Sequence, residues 1–354
     1  MTHKFPYKWT LAEANFTKDK GKVFSCFACG GGSTMGYKLA GFDVLGCNEI
    51  DPKMIQAYKT NHNPKYAFLE PIQQFKLRDD LPKELYDLDI LDGSPPCSSF
   101  SMAGSREADW GKEKKFREGQ AEQVLDTLFF DFIDLAKKLQ PKVVIAENVK
   151  GLLLGEARAY VSKIYEAFDA AGYIVQHWLL DASTMGVPQK RERVFFVAMR
   201  KDLADPFLES IDMFTLAPKF RLEFKEKPIL FGEIQDCEGR NLSENMTKIW
   251  DAREFGDGDM LSGSVRITGK QAYFSQTYLY KNKVAYTLTS HEDSLVLFDA
   301  PKYTSKQEAC SICTYPQDYD FCGQKPHYMI GMSVPPVMTA QIANQVYEQW
   351  LSKL

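Results

Sequence analysis

One pattern recurs through the first 200 residues: a short apolar run, a turn, then a stretch of helical period. The runs Lys22–Phe27, Val44–Glu49, Leu88–Asp92 and Lys142–Ala146 read as buried parallel strands. Before the last of them, Leu125, Leu128, Phe129, Phe132, Leu135, Ala136 and Leu139 form the apolar stripe of a helix laid on a sheet. This alternation predicts an α/β fold with a doubly wound, Rossmann-like sheet. Tyr173–Leu180 and Arg193–Met199 add two strands, with the turn Met185–Gln189 between them.

The texture changes after Arg200. Residues 201–261 hold 14 acidic and 8 basic side chains, without clear alternation of strand and helix. Residues 262–290 contain no acid but carry Arg266, Lys270, Lys281 and Lys283 among Tyr273, Phe274, Tyr278, Tyr280 and Tyr286. A second, smaller domain with one basic, aromatic face is the expectation. Val337–Leu354 is amphipathic and helix-like, and Val334–Pro335–Pro336 supplies its start signal.

Composition narrows the functional classes. With 44% apolar and 13% aromatic residues in 354, the chain has ample material for a buried core. No apolar run reaches the roughly 18 residues of a membrane span. Met1–Lys22 is polar and mixed in charge, so a cytoplasmic protein is expected rather than an exported one. A net charge of -4 argues against coating nucleic acid nonspecifically, though not against an enzyme with a local basic cleft. The eight cysteines read as free thiols. The pairs Cys26/Cys29 and Cys310/Cys313 have no His or Cys partner at zinc-ribbon spacing, and no metal is expected.

Several polar motifs fall just after predicted strands, where the carboxyl ends of an open parallel sheet line a ligand crevice. Gly30–Gly32 follows the first strand and lets backbone approach a ligand closely. Glu49 ends the second, where a carboxylate suits a ribose diol or a helix cap. Pro95 and Pro96 fix the backbone before Cys97, a stiff platform for a thiol that is either nucleophile or structural. Glu147 places a carboxyl near the same crevice, unless it is a buried acid paired with a backbone donor. Alternation in Gln189–Arg193 puts Arg191 and Arg193 on one side, to bind a substrate oxygen or to pair with acids.

Taken in order, the glycine turn, Glu49, Pro96–Cys97, Glu147–Asn148–Val149 and Gln189-x-Arg191-x-Arg193 resemble the DNA (cytosine-5) methyltransferase family of restriction-modification systems and phages. The likeness covers nearly the whole chain, through Thr127–Phe130, Tyr286–Thr289, Gln307–Glu308, Tyr315–Pro316 and Gly331–Pro336. It implies methyl transfer from S-adenosylmethionine to carbon 5 of a flipped-out cytosine within a specific short double-stranded DNA sequence. Cys97 would then add to carbon 6, and Glu147, kept protonated by burial, would serve ring nitrogen 3. Arg193 would bind the base carbonyl and Arg191 would position the catalytic groups.

By the same resemblance, Phe27, Gly30, Gly32, Glu49, Ile50, Ile72, Pro96, Leu128 and Ser333 would form the cofactor site. Ser98, Gln189, Arg266, Lys270, Lys281, Lys283, Thr287 and Leu288 would meet DNA, with Ser98–Gly119 as a loop closing on the base. Residues 1–200 would be the catalytic domain, 201–300 the target-recognition domain, 301–325 a hinge and 326–354 a helix returning to the catalytic domain. The implied enzyme is a monomer, with a cognate restriction endonuclease acting separately or with none.

Four positions depart from the family pattern: Cys29 for a glycine, Pro71 for an Asp near adenine, Met332 for an Asn and Ser311 for an Arg. None touches the catalytic set, so activity with an altered cofactor pocket is expected. A tRNA cytosine-5 methyltransferase usually carries a Cys-Phe-Thr signature, absent here. A dinucleotide oxidoreductase leaves Cys97 and the two arginines unexplained. Intact Cys97 and Glu147 oppose an inactive DNA-binding relative.

Overall fold

The structure is a computed structural model and describes residues 3–96, 113–114, 123–124, 127–210, 216–270 and 276–354. The chain forms two compact units. The larger comprises Asn15–Asp181, Glu192–Glu223 and Thr339–Leu354; the second comprises Met1–Ala14, Ala182–Arg191 and Phe224–Met338. These units cut across the expected linear segments, since 201–223 belongs to the larger unit and 182–191 and 326–338 to the second.

The larger unit is built on a sheet. In chain order its strands are β1 (Lys22–Cys26), β2 (Asp43–Glu49), β3 (Tyr66–Leu69) and β4 (Ile90–Gly93). A separate two-residue antiparallel ladder, β5 (Glu113–Lys114) with β6 (Gln123–Val124), follows. The sheet resumes with β7 (Val143–Val149), β8 (Tyr173–Asp181) and β9 (Glu192–Arg200), in the order β3-β2-β1-β4-β7-β9-β8. Pairs from β3 through β7 are parallel, whereas β9 runs antiparallel to both its neighbours. The four runs read as parallel strands are so, and the antiparallel strand is one of the two whose direction the sequence left open. Residues 182–191 alone join β8 to β9, fewer than the dozen or so that a parallel crossover needs.

The predicted helical stripe is realised in α4 (Leu128–Leu139), where Leu128, Phe129, Phe132, Leu135, Ala136 and Leu139 are all buried. Leu125 lies outside the described residues. Phe129 meets Phe196 of β9 edge-on at 5.4 Å between ring centroids. The helix stops at Gln140, left-handed at φ 52°, and Pro141 bars its continuation. Earlier in the chain are α1 (Gly32–Leu39), α2 (Pro52–His62) and α3 (Ile72–Phe75), and later α5 (Arg158–Ala170). Asp51 caps α2 by accepting from Lys53 N and Met54 N, with Pro52 in the first turn. A short antiparallel ladder, β10 (Leu208–Ser210) with β11 (Leu216–Pro218), follows β9.

The second unit holds α6 (Glu244–Asp251), α7 (Met260–Thr268), the parallel pair β12 (Thr277–Leu279) and β13 (Leu295–Leu297), α8 (Lys306–Ile312) and α9 (Pro326–Met332). Leu242, Met260, Tyr278, Tyr280, Val296 and Tyr303 form one of its apolar clusters. The C-terminal helix α10 spans Pro336–Gln349, starting where the proline signal predicts. Among the described residues no helix is long and apolar enough to cross a membrane.

Candidate active site

In the larger unit, Phe27, Gly30 and Gly32 follow β1, Glu49 and Ile50 lie at the end of β2 and Pro96 follows β4, at the carboxyl ends of three neighbouring strands. Phe27 and Cys29 both take left-handed backbone, at φ 53° and 50°, and Gly31 takes φ 87° at the N-cap of α1. Cys29 therefore carries a Cβ in a conformation that favours glycine. Its N–H donates to Glu49 Oε2 at 2.7 Å, which helps hold the turn. The other oxygen, Glu49 Oε1, accepts from Ile50 N at 2.8 Å and Asp51 N at 3.0 Å. Burial nonetheless leaves the Glu49 carboxyl above its ordinary range, against these three backbone donors.

Two expected lining residues have little surface to offer a ligand. Leu128 is fully buried and Ile72 is 2% exposed, both within the core cluster around α4. Ile50 and Pro96 are half-buried. Cys97 and Ser98, with the rest of the expected closing loop up to Gly119, lie outside the described residues except for the pair in β5.

Glu147, near the end of β7, sits opposite Phe195, and Arg193 sits opposite Val149. That diagonal register brings Arg193 Nε to 2.9 Å from Glu147 Oε1, on side chains 16% and 13% exposed. The acid expected to be kept protonated by burial, or else paired with a backbone donor, instead forms an ion pair, because the antiparallel β9 delivers a guanidinium beside it. Asn148 is buried, and its Nδ2 donates to Pro95 O at 3.3 Å while its Oδ1 accepts from Val149 N. The end of β7 is tied in this way to the backbone two residues before Cys97. Reading the residues alone gave Asn148 no such role.

Asp92, at the end of β4, was also missed. It is 3% exposed and accepts from Ser25 Oγ at 2.7 Å and Tyr37 OH at 3.0 Å. Burial pushes its carboxyl up to about 7, while the hydroxyl donors pull the other way. Because the folded value lies above the ordinary 3.8, its contribution to stability is full below that pH and is lost as pH rises through about 7. The loss over that window is about 4 kcal/mol on the scale of 1.4 kcal/mol per pH unit. Asp92→Asn keeps the side-chain shape and removes the titration. Its thermal midpoint should vary less than that of the wild type between pH 5 and pH 8; parallel profiles would refute the assignment.

Gln189 and Arg191 belong to the second unit, unlike Arg193. Strand β9 begins at Glu192, so the alternation that put both arginines on one side does not extend to Arg191. Arg191 is 3% exposed and donates to Leu288 O, Gly331 O and Ser333 O at 3.0–3.2 Å. Gln189 has no exposed surface; it donates to Ile312 O and Cys313 Sγ and accepts from Leu288 N. Leu288 is equally buried. The DNA contacts expected of Gln189 and Leu288 are corrected accordingly: fully enclosed side chains cannot reach a base edge, and these brace the Arg191 segment. Thr287 Oγ1 donates to Lys190 O at 2.6 Å in the same brace. The hydroxyl of Ser333, expected beside the cofactor, accepts from Tyr315 OH at 2.6 Å and donates to Met329 O.

The family model for C-5 cytosine-specific DNA methylase matches residues 21–348. The chain belongs to that family. Type II methyltransferase M.NgoPII of Neisseria gonorrhoeae is 28% identical over 351 residues, covering 91% of this chain and 94% of that protein. Orphan methyltransferase M.SPRI of Bacillus phage SPR is 31% identical over 194 residues, covering 54% of this chain and 37% of that protein. A solved mutant of Spodoptera frugiperda DNMT2 superposes with a TM-score of 0.64 at 18% identity, covering 92% of this chain and 99% of that one, and so shares the fold.

The cations expected to face DNA in this cytosine-5 methyltransferase differ in their surroundings. Arg266 is bonded to Asp257 and Glu254, and Lys281 lies 2.6 Å from Asp299. Lys270 is exposed. Lys283, also exposed, stands with Nζ 4.4 Å from the Tyr280 ring centroid, a pairing of cation and aromatic face. Lys283→Glu should weaken DNA binding and lower its salt slope by about 1 or more. Lys281→Glu should do less, because Asp299 already offsets that charge. Fluorescence anisotropy at several salt concentrations compares the two, and equal effects would contradict the distinction.

Proposed function

We propose that this enzyme methylates one cytosine within a short double-stranded DNA sequence, using S-adenosylmethionine and a covalent Cys97 adduct. The observation that carries the proposal is the Glu147–Arg193 pair at the end of β7, tied through Asn148 to Pro95, two residues before Cys97 in the chain. It supplies a carboxyl group and a hydrogen-bond donor for the base that Cys97 is proposed to attack.

The β1 turn fits the cofactor. Glu49 is an acceptor-only group when ionised, and its three backbone donors leave capacity for a hydroxyl such as those of ribose. When bound, S-adenosylmethionine supplies an electrophilic methyl carbon on a sulfonium. Of the cofactor residues expected from the resemblance, Phe27, Gly30, Gly32, Glu49, Ile50 and Pro96 remain the working set.

Carbon 5 of cytosine is too weak a nucleophile unaided. The Cys97 thiolate forms a bond to carbon 6, and the electron pair of the 5,6 double bond moves into the ring, making carbon 5 enamine-like. Arg193 leaves Glu147 for the carbonyl oxygen of the base. Glu147, freed of that counter-charge, takes up a proton from solvent, donates it to nitrogen 3 as Cys97 adds and takes it back as Cys97 departs. After methylation a base takes the carbon-5 proton, the double bond re-forms and Cys97 departs as thiolate. Carbon 6 is enclosed in stacked DNA, so the target cytosine must be flipped out. Recognition of the surrounding sequence falls to residues 224–300, with Lys283 among the backbone contacts.

Bisulfite sequencing of DNA from cells expressing the protein tests this reading. A single short motif bearing 5-methylcytosine is the expected result. Unmodified cytosine throughout, or modification without sequence preference, would overturn it.

A further inference from the structure

The glycine turn is held from a second helix. Tyr58 and His62 lie on α2 one turn apart, their rings edge-on at 4.7 Å, and both reach toward the start of α1. Tyr58 OH is 2.9 Å from Thr34 Oγ1 in the first turn of α1. His62 Nε2 is 3.3 Å from Gly30 O. A carbonyl only accepts, so Nε2 carries the hydrogen and donates. The fit is tight: a Cβ on Gly31, already left-handed at φ 87°, would collide with His62 Nε2. In return, Lys38 Nζ near the end of α1 donates to His62 O at 3.1 Å.

Both ring residues are buried, Tyr58 completely and His62 at 7% exposed. Burial pushes the imidazole down to about 3, so it stays neutral, with a fixed tautomer, through the range in which the enzyme works. Of the three contacts, two act on the turn and the helix start. Neither side chain has a part in the chemistry described above. Neither stands out in the sequence, because His62 lies 32 residues from the carbonyl it holds.

We propose that Tyr58 and His62 are positioning residues that set the geometry of the Gly30–Gly32 turn, and through it the affinity for S-adenosylmethionine. The inference rests on reading that turn as the cofactor site. His62→Ala removes the donor to Gly30 O and leaves the turn free to collapse into the vacated space. Because the bonds act equally before and during methyl transfer, affinity is lost without a change in the chemical step.

The test is cofactor binding by calorimetry on the full-length protein, alongside steady-state kinetics on a methylatable duplex. His62→Ala should raise Kd and KM for S-adenosylmethionine about tenfold, with kcat within about twofold and KM for DNA unchanged. Tyr58→Phe, which loses one hydroxyl and keeps the ring, should raise both by about threefold. His62→Gln, which restores a side-chain N–H donor, should recover most of the lost affinity. A purely structural role would lower the thermal midpoint and move kcat and both KM values together, and that pattern would overturn the proposal. So would unchanged cofactor affinity in His62→Ala and Tyr58→Phe while the wild type binds tightly. Failure of the wild type itself to bind S-adenosylmethionine would instead refute the cofactor site, and this inference with it.

Discussion

Methyl transfer by Cys97→Ala should fall by about 10⁴-fold or more in kcat, the scale on which removal of a nucleophile is felt. The reason lies in the substrate rather than in binding. Without addition at carbon 6 the pyrimidine ring keeps its aromatic electron distribution, and carbon 5 has no enamine character with which to take a methyl group. Affinity for S-adenosylmethionine should be retained, because Cys97 is not among the groups assigned to it, and all of those but its neighbour Pro96 lie at the β1 turn and the end of β2. Tritiated methyl transfer under single-turnover conditions makes the comparison directly. Retention of a tenth of the wild-type rate would remove Cys97 from the mechanism.

The second large effect is expected at Glu147. Glu147→Gln should lower kcat by about 10²–10³-fold, in the range of a lost general acid, with KM for S-adenosylmethionine little changed. The amide can still accept from Arg193 Nε, which sits 2.9 Å from the carboxylate in the wild type, so the guanidinium keeps a partner. It cannot hand a proton to nitrogen 3. Glu147→Ala should be worse in a different way, because it leaves Arg193 partly enclosed without its counter-charge and should lower stability as well. Measuring kcat and thermal midpoint for both variants separates the proton from the pairing. A kcat within about threefold of wild type in Glu147→Gln would mean that nitrogen 3 is served by another group.

Much of this was legible in the amino-acid order, and the exceptions have identifiable causes. The strand runs and the α4 stripe could be read because buried sheets and the helices that cover them leave local periodicity. The places of Glu49 and Glu147 at strand ends could be read because such motifs keep their place whatever the loops do. Arg191 and Arg193 could not be resolved by alternation, because the strand starts between them, at Glu192. The antiparallel pairing of β9 also explains why Glu147 meets a cation: the partner comes from across the ladder, 46 positions away in the chain.

Charge was the least legible property. Residues 262–290 carry four cations and no acid, yet Arg266 bonds to Asp257 and Lys281 to Asp299, both just outside that window. Asp92 presents the converse case. It ends the strand run Leu88–Asp92, and nothing in that run signals that the fold encloses its carboxyl between Ser25 and Tyr37 from other elements. His62 shows the same limit, since nothing within α2 signals that its ring will abut the glycine turn.

The covalent adduct at Cys97 is the central claim, and 5-fluorocytosine DNA tests it most directly. Fluorine at carbon 5 cannot leave as a proton does, so an enzyme that adds to carbon 6 and transfers the methyl group is stranded on the DNA. With S-adenosylmethionine present, the wild type should form a complex that survives denaturing electrophoresis and maps by mass spectrometry to the peptide containing Cys97, while Cys97→Ser should form none. An adduct that persists in Cys97→Ser, or active methylation of ordinary cytosine with no trapping of the fluorinated base, would contradict the account.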